Sequence, residues 1–98
     1  MTRIRRIVRL TFADDHVIEF LDIYRESSPY ISTFAGCIHL SLMKDADHAH
    51  IFYTVSEWAS PEALENYRQS ELFRATWAKT KLLFSDRPRA YSLQEFDI

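Results

Sequence analysis

The feature that most constrains this chain is a change of period at Trp58. Upstream, Thr54, Ser56 and Trp58 alternate with Tyr53, Val55 and Glu57, the two-residue repeat of a strand with unlike faces. Downstream, Ser60-Pro61-Glu62 opens a helix. Ser60 can accept from free backbone N–H groups, Pro61 suits the first helical position, and Glu62 opposes the positive end of the dipole. Ser70-Glu71-Leu72-Phe73 repeats that signal further on, which predicts two helical pieces. A large indole thus ends a strand at the mouth of any space between sheet and helices. Residues 53–77 are expected to form the wall and lid of a pocket.

The remaining segments supply partners for that strand. Over residues 4–12, Ile4, Val8, Leu10 and Phe12 fall on one face and Arg5, Ile7, Arg9 and Thr11 on the other. Asp14 or Asp15 is the expected cap of a helix whose stripe is Val17, Phe20, Leu21 and Tyr24. Pro29 predicts a kink or restart near Ser27-Ser28, and Gly36 suits the turn that follows. Residues 37–43 read as a second strand, with Cys37, His39, Ser41 and Met43 on one side and Ile38, Leu40 and Leu42 on the other. Residues 44–49 read as a hairpin connection into a third strand at His50. Asp86-Arg87-Pro88 ends the second helical region, and Ala90 to Phe96 makes a last strand. The order is βαββαβ, the ferredoxin-like α+β arrangement: a four-stranded antiparallel sheet with helices on one face. The face carrying Arg9, Thr11 and His39 needs solvent or a second copy of the chain to cover it.

Ninety-eight residues suit one domain, 1–98, with a modest core. The 12 basic residues are outnumbered by 14 acidic ones, and Arg3, Arg5, Arg6 and Arg9 split between strand faces, so nucleic acid is not the expected partner. No apolar run is long enough to span a membrane, and Met1-Thr2-Arg3 leads into a strand rather than a signal peptide. The single Cys37 has no internal disulfide partner, which fits a reducing, cytoplasmic setting.

Conventional catalytic groupings are sparse. His48-x-His50 beside Asp45 and Asp47 is metal-like in composition, but turns favour Asp for their own reasons and two histidines are too few; no metal site is expected. Cys37 and His39, on a shared strand face, lack a third orienting group, and a structural cysteine is the plainer reading. There is no Gly-rich phosphate loop, nucleophile elbow or zinc spacing. What remains is Trp58, Thr54, Tyr67, Phe73 and Trp77. Any one of these rings serves a core; together they exceed what a core this size needs, and with a few hydroxyls they make a slot for a flat aromatic ligand.

Glu57-Trp58-Ala59-Ser60-Pro61-Glu62-Ala63-Leu64, then Tyr67, then Ser70-Glu71-Leu72-Phe73, preceded by Gly36-Cys37, resembles the antibiotic biosynthesis monooxygenase domain, of the dimeric α+β barrel superfamily. The likeness runs from Ile7 to about Ser92. It implies a homodimer packed sheet to sheet and a pocket in each subunit between sheet and helices. It further implies oxidation of a phenol, quinol or anthrone by molecular oxygen, with no metal or flavin cofactor. On that reading Trp58 and Thr54 are the catalytic candidates, Thr54 standing where some members carry asparagine. Phe12, Tyr67, Phe73 and Trp77 are the substrate-binding candidates. The haem-degrading branch needs an asparagine and a histidine at positions that here hold Val8 and Trp77, so haem degradation is not expected. The alternative on the same scaffold is a non-catalytic small-molecule-binding or stress-response dimer.

Overall fold

A computed structural model describes residues 2–98; Met1, where the leader reading begins, lies outside them. The elements are β1 (Ile4–Thr11), α1 (Val17–Ser32), β2 (Cys37–Lys44), β3 (Ile51–Trp58), α2 (Pro61–Arg68), α3 (Glu71–Thr80) and β4 (Arg89–Leu93), with 3-10 turns at Asp14–His16 and Lys81–Leu83. The strands form one antiparallel sheet in the order β2-β3-β1-β4, the ferredoxin-like topology expected from the element order. Among the described residues, no helix is long and apolar enough to cross a membrane.

The predicted break between α2 and α3 is built from two serine caps. Ser60 Oγ accepts from Ala63 N at 3.1 Å and Ser70 Oγ from Phe73 N at 3.1 Å. Ser70 Oγ also donates to the Tyr67 carbonyl at 2.6 Å, which ties the end of one helix to the start of the next. Gly36 is the other fixed point. Its φ is +88°, and a Cβ there would lie 2.4 Å from Ala63 Cβ, so α2 can sit against the β2 turn only because this residue has no side chain.

Apolar residues at even positions of β1 and β3 face the helices and form two clusters. One contains Leu10, Phe12, Phe20, Phe52 and Leu83; the other contains Ile4, Trp58 and Leu64, with Phe34, Cys37 and Tyr67 packed against it.

Local expectations fail at four places. α1 runs through Pro29 without a restart. Pro29 lies on the exposed side of the last turns, where water can serve the carbonyl it leaves unbonded, and its own carbonyl accepts from Ser32 Oγ (3.2 Å) and Thr33 Oγ1 (2.8 Å). Neither Asp14 nor Asp15 caps that helix; they open the 3-10 turn, and Asp14 instead meets His50 Nε2 at 2.8 Å. Cys37 and His39 do not share a face. A bulge at Ile38 pairs Cys37 with Trp58 and His39 with Glu57, turning Cys37 into the core and leaving His39 outside. β4 ends at Leu93 rather than Phe96, because Leu93 already pairs with Arg5 near the start of β1 and the ladder runs out.

Candidate functional site

Between the two clusters the sheet is not filled. The middle rungs of β1 and β3 pair Arg6 with Ser56 and Val8 with Thr54, and the flanking strands add Leu40 beside Ser56 and Ala90 beside Val8. These side chains do not fill the space above them, and a cavity of about 350 Å³ remains beneath α1, α2 and α3. It meets the surface beside Arg68 and Ala90, both exposed.

The walls are aromatic. Trp58 is fully buried (0% exposed) and borders the cavity; its ring stacks on Tyr67 with centroids 4.9 Å apart at 23°. Phe73 stands edge-on to Tyr67 at 5.3 Å, and Trp77 lies nearly parallel to Phe73 at 5.9 Å. Thr54, Tyr67, Phe73 and Trp77, four of the sequence candidates, all line the same space as Trp58.

Phe12 does not line it. It is 1% exposed and stacks on Phe20 at 4.2 Å and on Phe84 at 5.3 Å, which places it in the core at the far end of the sheet. The alternation that puts Phe12 on the pocket face says nothing of how far along that face the hollow extends.

The polar groups are hydroxyls and guanidinia. Trp58 Nε1 donates to Ser56 Oγ at 2.9 Å, so the indole N–H is engaged within the protein and the ring serves as a wall. Thr54, two residues earlier on the same face, lines the open part of the cavity. Burial pushes the Tyr67 phenol up to about 12, and raises that of Tyr24, so both hydroxyls stay protonated and available as donors at neutral pH. Burial likewise raises the Cys37 thiol above its usual range, against a nucleophilic role.

Arg6, Tyr24, Ser56 and Arg68 line the site and stand outside the sequence candidates. Arg6 was findable: it has the same parity as Ile4 and Val8, and only its charge argues for the opposite face. Among the described residues, no Asp, Glu or His lines the cavity. His48 Nδ1 meets Asp45 Oδ2 and His50 Nε2 meets Asp14 Oδ1, each at 2.8 Å, so the two histidines of the turn are drawn to different carboxylates.

The chain is thus a ferredoxin-like α+β domain with a helix-roofed, aromatic-walled hollow on one face of its sheet. The chain belongs to the antibiotic biosynthesis monooxygenase family, whose model matches residues 3–79. Among curated proteins none matches in sequence. Solved structures agree in fold. A conserved protein from Methanosarcina mazei superposes with TM-score 0.93 at 16% identity, covering 98% of this chain and 95% of that one. A Caulobacter crescentus protein described as a candidate antibiotic biosynthesis monooxygenase gives 0.91 at 16%, with 98% and 92% covered. A Pseudomonas aeruginosa protein gives 0.86 at 23%, with 99% and 97% covered.

Proposed function

We propose that this protein is a monooxygenase that oxidises a flat phenol, quinol or anthrone with molecular oxygen, using no metal or flavin. The observation that carries the reading is the cavity itself, walled by Trp58, Tyr67, Phe73 and Trp77 and floored by Thr54. An ionised anthrone is electron-rich enough to reduce oxygen directly, so the protein's task is to bury, orient and stabilise the anion. In balanced form, the anion passes one electron to dioxygen and the resulting radical pair joins as a ring-carbon peroxide. Its O–O bond then breaks: one oxygen stays as the new carbonyl and the other leaves as water with the two hydrogens of the methylene. Thr54 and the protonated phenols of Tyr24 and Tyr67 are the donors for the developing oxyanions.

The assembly we propose is a homodimer joined by the outer sheet face. Ile7 sits there between Val55 and Tyr91, with Met43 beside Tyr53. Met43, Tyr91 and Leu93 are 57%, 51% and 47% exposed in the single chain, an apolar surface suited to a second copy.

A second reading, a non-catalytic binding dimer, is favoured by one observation: the cavity lining holds no carboxylate or imidazole to take the substrate's proton. Oxygen uptake with a panel of anthrones and quinols separates the two. Uptake matched to quinone formation supports the monooxygenase; binding without uptake supports the second reading.

A further inference from the structure

The lining of the cavity is charged in one sense only. Among the described residues, Arg6 and Arg68 are its sole ionised side chains, in a chain whose formal net charge is −2. Arg6 rises from the floor on β1 and is partly buried, and Arg68 stands at the rim on α2. The Arg6 guanidinium donates from Nη1 to the neutral Ser92 Oγ at 2.8 Å, and among the described residues no carboxylate lies within salt-bridge distance of it. The nearest offset is Glu65, whose carboxylate is already shared between Arg68 (3.4 Å) and Gln69 (2.8 Å). Three charges therefore surround this end of the hollow, two positive and one negative, and the negative one is outside the lining. Burial first, and then the neighbouring Arg68, press the Arg6 guanidinium downward from its ordinary pKa, with Glu65 acting against them.

We propose that the ligand of this cavity is an aromatic carboxylate: a fused-ring body lying against the wall of Trp58, Tyr67 and Phe73, with its carboxylate held by Arg6 and Arg68. A guanidinium presents parallel N–H donors that match a carboxylate, and Arg6 keeps donors free beyond the one given to Ser92. Arg68 at the rim steers the anion inward, and Arg6 at the floor fixes how deep the rings go. The inference deepens the substrate class of the proposed monooxygenase and rests on the same cavity. It is separable because binding can be read without turnover.

The test is a pair of probes, 2-naphthoate and the isosteric, uncharged 2-naphthamide, titrated against the whole protein by quenching of its tryptophan fluorescence. The wild-type protein is expected to bind the acid about tenfold or more tightly than the amide, the usual scale of a charge-assisted hydrogen bond. Arg6→Met should remove most of that preference, Arg6→Lys should retain more of it, and Arg68→Gln should lower it by a smaller factor. Equal affinity of the two probes for the wild-type protein overturns the inference and leaves the pocket reading standing. Failure of both probes to bind overturns the pocket reading and the inference with it. The wild-type comparison decides the matter even if Arg6→Met does not fold.

Discussion

The ring of Tyr67 lies flat against the ring of Trp58, 4.9 Å away, so the last residue of β3 and the last turn of α2 form one surface. That stack is what makes the back wall of the cavity a single rigid unit. Truncating Tyr67 to Ala should cost about 3–5 kcal/mol, the scale for an aromatic removed from a packed site, and should be visible as a lowered denaturation midpoint. Tyr67→Phe keeps the stack and should stay within about 1.5 kcal/mol of wild type.

The phenol of Tyr67 also sets a pH dependence. Its pKa is about 12 in the folded chain against an ordinary value of 10.0. Above pH 10 the unfolded chain loses this proton while the folded chain keeps it, so the unfolded state binds fewer protons and stability falls as pH rises. The loss is absent below pH 10, grows between about 10 and 12, and amounts to roughly 2–3 kcal/mol at about 1.4 kcal/mol per pH unit. Tyr24 shifts the same way. Urea denaturation across that window should show a steeper alkaline decline for wild type than for Tyr67→Phe; identical slopes would mean the phenol is not shielded.

Gly36 against Ala63 offers a sharper test of packing. Gly36→Ala places a Cβ at positive φ and 2.4 Å from Ala63 Cβ, and the backbone term alone is roughly 1–2 kcal/mol. Ala63→Gly removes the contact at a helix-propensity cost of about 1 kcal/mol. The double variant should therefore be more stable than the sum of the two changes allows, and simple additivity in a double-mutant cycle would show that the clash is relieved elsewhere.

Much of this was legible in the chain. Ser60-Pro61-Glu62 and Ser70-Glu71 mark both helix starts because a cap is a local interaction between near neighbours, and both caps are made. The even-numbered face of β1 and β3 follows from strand period alone. What was not legible depends on distant partners. Arg6 sits on the core face because a hollow, rather than packed side chains, lies above it. Cys37 turns inward because one extra residue at Ile38 reverses the parity of β2. Phe12 has the right face and the wrong end of the sheet, since depth along a face is set by which side chains descend onto it, here Phe20 from α1 and Phe84 from the extended segment after the second 3-10 turn.

Dimerisation should be direct to observe. The chain has a mass of 11.6 kDa, and light scattering at micromolar concentration should report twice that value. Ile7→Arg, at the centre of the outer face beside Val55 and Tyr91, should shift the species toward monomer. A wild-type monomer across that concentration range would contradict the proposed assembly.

Turnover of an anthrone under oxygen-18 gas tests the central claim most directly. The account predicts one labelled atom in the quinone product and one oxygen molecule consumed per product, well above the rate in buffer, with Thr54→Val slower. Label arriving from solvent water, or a rate no greater than that of the anthrone in buffer alone, would contradict it.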